Sequence, residues 1–514
     1  MSFYRRNRKE FSFILIFTFI KLILHFSANS NFGFHRDELL YMAMGEHLNW
    51  GYKEVPPFIA FIAWLTTHIF GDSVFAARIF STLFGALIVY LTGLTVLALG
   101  GKRFAIAIAC LGVIVSPAFL GSGYLLQPVV FDQFFWVLSA YLIVRFIKTY
   151  QVGYLYGLGV AAGLGMTNKY SMAIYLLALI SALLLTPQRK IFLNKAWLIA
   201  AGIALLIFLP NLIWQISNQF PVIRHMKELK DTQLNFINPF DFTIQQLLIH
   251  ATASIIWITG FIYLLFSRTL RQFRFLGIAY ILLIVLLIFL QGKSYYSFGA
   301  YPVLFALGGI AINRILSHLH SGLQSASLAV ILFPSLLLLP IVVPVLSFNT
   351  TLKFFEFTTH SLNLKFPVKW EDQKLHATTQ DYADMLGWEE LAIGASKSFD
   401  LIPEDDRKHT TIFANNYGQA GAIDRFRKKY NLPATVCLNS SYALWSPESI
   451  NTRHLIYIND EYPDDLHPSY EKVVKVAEIE NPYAREKGTK IFLLSYPVKS
   501  ILPTYKKHRR EELN

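Results

Sequence analysis

Long apolar runs separated by short basic loops constrain this chain more than any other feature. Runs of about 18 or more apolar residues are long enough to cross a bilayer as helices. They recur near 11–28, 75–99, 104–121, 130–147, 153–168, 170–186, 196–213, 246–266, 274–291, 298–313 and 326–347, which predicts about eleven transmembrane helices. A chain that is 54% hydrophobic with a mean hydropathy of +0.42 is not an ordinary soluble enzyme. The apolar segment PPFIAFIAWLTTHIF, 56–70, is shorter and suits an interfacial or re-entrant helix better than a span. The N-terminal RRNRKEFSFILIFTFIKLILHF lacks a small-residue cleavage site, so an uncleaved first helix is expected rather than a signal peptide.

Charge then orients the loops. The formal net charge is +13, and residues 1–347 hold 24 Lys/Arg against 10 Asp/Glu. A basic membrane half is what topology-setting loops produce, so nucleic-acid binding is not implied. Loops at 5–9, 100–103, 145–151, 187–195, 267–274 and 313–320 carry 15 Lys/Arg, against 7 in the alternate set. This bias predicts a cytoplasmic N-terminus and an outer, extracytoplasmic C-terminal domain. Treating 56–70 as a span would invert every later loop and lose the bias. On this topology Asp37, Glu38, Glu46, Glu54, Asp72, Asp132, Glu228, Asp231 and Asp241 all fall on the outer side, with Lys169, His225 and Lys293. An outward-facing polar site at the membrane boundary follows, since charges there are costly unless they face water, a partner or a substrate.

Two domains are expected: a transmembrane domain over 1–347 and an α/β domain over 348–514. In the second, 381–399 and 419–430 read as helices. The runs 409–414, 435–438, 453–459, 472–479 and 490–496 read as strands. Cys110 and Cys437 lie in different domains, so no disulfide framework is implied.

The run DELLYMAMGEHLNWGYKEVPPFIAFIAWL resembles the first outer loop of the GT-C membrane glycosyltransferases, in the branch of the protein mannosyltransferases and lipid A aminoarabinose transferases. AARIFSTLFGALIVYLTG, QPVVFDQFFW, GLGMTNKYSMAIYLL and GKSYYSFGAYPVLFALGG follow in the family's order, so the resemblance covers most of 30–310. FANNYGQAGAIDRF resembles the outer domain of bacterial members. The resemblance implies a mainly α, polytopic GT-C fold with interfacial helices in the first outer loop. It implies a polyprenyl-phosphate sugar as donor and a lipid, glycan or protein as acceptor, met at the outer face of the cytoplasmic (inner) membrane.

The resemblance also assigns residues. An Asp in the first outer loop, here Asp37 with Glu38 beside it, acts at the acceptor as base or orienting group. Inverting transfer needs such a carboxylate to take the acceptor's hydroxyl proton. The competing reading makes Asp37 the N-cap of a helix over 38–48. Asp132 matches the acid the family places near the donor sugar; its alternative is a structural pairing with Arg78 or Lys169. Lys169, and Lys293 with Tyr295 and Tyr296, suit a lipid phosphate, a cation plus phenol donors; a snorkelling lysine in an aromatic belt is the alternative.

Glu54, in KEVPP, with His225 matches a pair that looks metal-binding in the aminoarabinose branch, so a divalent metal is a cofactor the resemblance admits. Two ligands are few, and an exposed loop histidine is the alternative. No nucleotide cofactor is expected, since the lipid phosphate is the leaving group. Trp50, Tyr52 and Trp64 could stack on sugars but read better as interface aromatics, and NNYGQAG lacks the spacing of a nucleotide fingerprint. A transporter or flippase with an outer sensing domain is the rival class. It would place its groups near the midplane in related halves, and no such repeat is visible.

Overall fold

The computed structural model describes residues 7–513; Arg5 and Arg6 of the first basic run lie outside them. The chain divides into two compact units, one of 1–29, 55–59 and 78–345, the other of 30–54, 60–77 and 346–514. The last of the breaks between them falls between 345 and 346. The first outer loop, however, clusters with the C-terminal part rather than with the helices on either side of it.

The first unit is helical. Six of its helices are long and apolar enough to cross a membrane: Val74–Ala98, Pro128–Thr149, Ala196–Ser217, Arg271–Phe289, Ser294–Leu316 and Ser321–Val342. Two bent pairs, Ser171–Leu184 with Pro187–Leu193 (107°) and Pro239–Leu248 with Ala251–Phe266 (95°), raise the number to at most eight among the described residues. The chain is a multi-pass membrane protein, with fewer clear spans than the eleven apolar runs suggest.

The reasons are local. Helix Arg8–Phe26 carries Arg8, Lys9, Glu10 and Lys21. Helix Arg103–Val115 stops where Ser116 turns extended ahead of Pro117, because the residue before a proline is driven out of helical geometry. Helix Gly153–Asn168 ends as Lys169 becomes extended (φ −156°, ψ 136°). The charge of Lys21 is accommodated inside the unit: its ammonium is buried and donates to the Phe119 carbonyl at 2.8 Å.

Packing in this unit depends on small residues. A Cβ on Gly308 would lie 1.9 Å from the Ile256 carbonyl oxygen, and one on Gly260 2.2 Å from that of Leu304. Helices Ser254–Phe266 and Tyr301–Leu316 therefore meet backbone to backbone, as membrane helices do where glycines remove the side chain from the interface.

The second unit is α/β. Strands β1 (Thr410–Ala414), β2 (Thr435–Val436), β3 (His454–Asn459), β4 (Tyr470–Glu478) and β5 (Lys490–Pro497) form one mixed sheet in the order β2-β1-β3-β5-β4. β1 is parallel to β2 and β3, while β5 is antiparallel to β3 and β4. All five expected strands are present, the second shortened to two residues. One face buries Val436, Leu455, Phe492 and Leu494, capped by Tyr505 of the last helix, Leu502–Leu513.

Helix Trp388–Asp400 packs on β4 and β5. The single helix expected over 381–399 is broken, because Gly387 takes φ +86°, a conformation open to glycine at little cost. The outer-loop helix is Arg36–Glu46, and Phe58–Phe70 follows it. The latter has 13 residues, about 20 Å of helix against the ~30 Å of a bilayer core.

Candidate active site

The outer-loop carboxylates sit at a helix start. His35, not Asp37, is the N-cap of Arg36–Glu46, and its Nδ1 accepts from the Asp37 amide at 3.1 Å. Glu38 returns the bond: its Oε2 accepts from the His35 amide at 2.8 Å. This is a capping box with histidine in the place of serine. It uses the fully buried Glu38 as a structural acceptor and leaves Asp37 in the first turn, where the helix dipole favours a negative charge. Asp37 is half-buried, and its Oδ1 accepts from the Tyr417 hydroxyl at 2.9 Å.

Other acids of the loop are also engaged from the C-terminal part. Both oxygens of Glu54 accept serine hydroxyls, from Ser440 and Ser441. The Ser441 hydroxyl also accepts from the Lys53 amide at 3.0 Å. Asp72 pairs with Arg425 at 2.7 Å and Glu46 with Arg427 at 3.7 Å. Tyr52 is buried, with its hydroxyl bonded to the Asn49 amide and the Met44 and His47 carbonyls, so it presents no face to a sugar. Trp50 is 62% exposed.

One group of three ligating side chains appears among the described residues: His35, Asp381 and Asp384, whose ligand atoms lie within 4.8 Å of one another. Burial raises the Asp384 pKa, against the pull of His35 and Arg485. A metal fits poorly there. His35 Nδ1 is already an acceptor, so the hydrogen of the neutral ring sits on Nε2, the atom facing Asp384 at 4.0 Å. Arg485 moreover donates to Asp384 Oδ2 at 3.0 Å.

In the first unit the expected phosphate residues come together. Lys169, at the break between helices Gly153–Asn168 and Ser171–Leu184, places its ammonium 4.7 Å from the Tyr295 ring centre and 4.6 Å from that of Tyr296. The charges of Asp132 and Lys293 both bear on it. Asp132 is buried at the start of Pro128–Thr149, and its Oδ2 accepts from the Ser171 hydroxyl at 2.7 Å. Lys293 donates to Gln233 at 2.5 Å.

The turn is held from two sides: Asn168 donates to the Pro128 carbonyl at 3.0 Å, and Tyr170 donates to Asn211 at 3.1 Å. Asp132 and Lys169 thus feel each other's opposite charge. Arg78 donates to the Asn29 carbonyl at 3.0 Å and lies over Tyr124. A cation ringed by phenols and balanced by one carboxylate can bind a phosphate monoanion or dianion. His225 lies on helix Pro221–Thr232 of this unit, whereas Glu54 belongs to the other.

Sequence reasoning missed Tyr417, Ser171, Ser440 and Ser441. Tyr417 lies in the NNYGQAG segment, which carries no nucleotide fingerprint and so drew no functional reading; it is the first residue of helix Tyr417–Tyr430. Ser171 was within reach, two residues from Lys169.

Helical membrane unit, acid-bearing outer loop and small mixed sheet together make the GT-C glycosyltransferase fold. The chain superposes on ArnT from Cupriavidus metallidurans bound to undecaprenyl phosphate with a TM-score of 0.61, 12% identity, and coverage of 94% of this chain and 98% of that one. The apo state of the same ArnT gives 0.60 at 13% identity. Residues 54–214 match the family model described as dolichyl-phosphate-mannose-protein mannosyltransferase. The lipid A galacturonosyltransferase RgtD of Rhizobium johnstonii is 27% identical over 227 residues, 42% of this chain and 45% of the relative. The chain thus matches just under half the length of that curated relative.

Proposed function

We propose that the protein is an inverting membrane glycosyltransferase that moves a sugar from a polyprenyl-phosphate donor to a lipid, glycan or protein acceptor. The observation that carries this reading is the Lys169 cluster with Tyr295, Tyr296, Lys293 and Asp132, cations beside phenols within a GT-C fold. The ArnT structure holds undecaprenyl phosphate, and RgtD is named for lipid A. These two names favour a lipid-linked donor and a lipid-glycan acceptor.

In the reaction, the acceptor's hydroxyl oxygen bonds to the anomeric carbon with inversion and its proton passes to a carboxylate, the role the resemblance gives to Asp37. The bond from the anomeric carbon to the phosphate oxygen breaks, and its electron pair leaves with the polyprenyl phosphate. Lys169 and Lys293 hold that phosphate, with Tyr295 and Tyr296 as phenol donors, and Asp132 keeps Lys169 charged and oriented beside the donor sugar. Glu38 shapes the Asp37 helix rather than touching substrate.

No step is assigned to a metal. Glu54 and His225 are a small donor set, and both Glu54 oxygens already accept serine hydroxyls. The loop charges support a cytoplasmic N-terminus and an outer C-terminal domain in the inner membrane. The transporter reading gains no observation of its own.

Membranes containing the protein, given radiolabelled undecaprenyl-phosphate sugars one at a time, test the reading. Label should pass to an endogenous acceptor with release of one polyprenyl phosphate per sugar. Movement of labelled lipid between leaflets without cleavage would instead identify a flippase.

A further inference from the structure

We propose that Tyr417 is the positioning residue for Asp37, so that the C-terminal part of the chain sets the orientation of the outer-loop carboxylate. The proposal rests on the reading of Asp37 as the group that takes the acceptor's proton. Both residues belong to the same compact unit, although 380 positions separate them in sequence.

The placement of Tyr417 is specified on every side. It is the first residue of helix Tyr417–Tyr430, whose start is fixed by Asn416, the N-cap, accepting from the Gln419 amide at 3.0 Å. That helix lies against Arg36–Glu46 at the closest distance glycine allows. A Cβ on Gly418 would stand 2.8 Å from Arg36 Cγ, and one on Gly421 2.8 Å from Leu39 Cβ. The Arg36 guanidinium lies 4.8 Å from the centre of the Tyr417 ring, a cation–π contact made by the residue just before Asp37. Ring and carboxylate are therefore held by the same pair of helices.

The chemistry of the pair suits a base that must point one way. A phenol has one hydrogen and can engage only one carboxylate oxygen, here Oδ1 at 2.9 Å. A bond to a charged acceptor is among the stronger hydrogen bonds. Burial, and next the charge of Asp37, push the Tyr417 pKa well up, so the phenol keeps its hydrogen and remains a donor.

A double-mutant cycle tests the proposal, using label transfer by the full-length protein in membranes. Tyr417→Phe removes only the hydroxyl and keeps the ring under Arg36. Its kcat should fall ~10- to 100-fold with the donor KM unchanged, and thermal unfolding should stay near wild type. In the Asp37→Asn background, Tyr417→Phe should have no further effect on the residual rate, because its target is gone. Wild-type kcat in Tyr417→Phe, or an equal loss in both backgrounds, would overturn the proposal while leaving the assigned reaction intact. A wild-type protein that transfers no label from any polyprenyl-phosphate sugar would instead overturn the assigned reaction, and the proposal with it.

Discussion

The Ser171 hydroxyl donates to Oδ2 of Asp132 at 2.7 Å, joining the helix after the Lys169 break to the start of Pro128–Thr149. Asp132 is buried, and a buried acceptor that loses its donor costs about 1–3 kcal/mol. Ser171→Ala should lower stability by about that amount and lower transfer, because Lys169 loses its fixed counter-charge. Ser171→Thr keeps the hydroxyl and should retain most activity. Thermal unfolding in detergent together with label transfer checks both.

Lys169, whose ammonium lies over the Tyr295 and Tyr296 rings, is the cation central to the proposed phosphate site. Lys169→Met keeps the stem and removes the charge, and should raise the donor KM by ~10-fold or more, as expected for loss of a charged hydrogen bond. Lys169→Arg keeps charge in a planar fork that cannot reproduce a point ammonium, and should fall between wild type and Met. Steady-state kinetics with varied donor orders the three. An unchanged donor KM in Lys169→Met would remove the residue from the donor site.

Gly308 lies against the Ile256 carbonyl, with 1.9 Å for any Cβ placed there. Gly308→Val cannot be accommodated without parting helices Ser254–Phe266 and Tyr301–Leu316. It should cost several kcal/mol, beyond the ~1–3 kcal/mol of ordinary overpacking. The fraction of monodisperse protein on size exclusion after detergent extraction should collapse, while Gly202→Val, where nothing lies within 4 Å, should behave as wild type.

Asp424, on helix Tyr417–Tyr430, has its pKa raised by burial to about 6, against the pull of the Thr435 amide and the Tyr442 hydroxyl. The folded protein then binds this proton more tightly than the unfolded chain. The stabilising contribution is complete below the unfolded pKa, near 4, and is lost as pH rises through about 6. Asp424→Asn should flatten the dependence between pH 4 and 6.5 and raise stability at neutral pH, by an amount on the order of 1–3 kcal/mol. Unfolding midpoints of both proteins across that range check the sign. A variant less stable than wild type at pH 7.5 would contradict it.

Much of the fold was legible because it rests on local patterns. Apolar runs mark helices, and β-rich runs such as RHLIYIN and KIFLLSY become β3 and β5 with few shifted ends. The span number was harder, since the break at Ser116 comes from Pro117 and the one at Lys169 from that residue's extended backbone, neither of which hydropathy registers. In the site, Lys169 stood out for its place in a short turn between two outward-meeting spans, and Lys293, Tyr295 and Tyr296 for their family-like context; the Lys169 ammonium lies over both tyrosine rings. The competing reading of Asp37 as an N-cap fell on the wrong residue, because histidine is not a usual N-cap; His35 takes that role. Tyr417, Ser440 and Ser441 were invisible for a different reason. They meet Asp37 and Glu54 only through tertiary folding, across more than 370 residues, and no short motif records such a contact.

The central claim is that Asp37 takes the acceptor's proton in transfer from a polyprenyl-phosphate sugar. Its most direct test compares kcat for label transfer by wild type and Asp37→Asn, in membranes matched for folded protein and saturated with donor. The account predicts a loss of ~100-fold or more, in line with removal of a general base, with donor binding to the variant retained. Transfer by Asp37→Asn at the wild-type rate would contradict it.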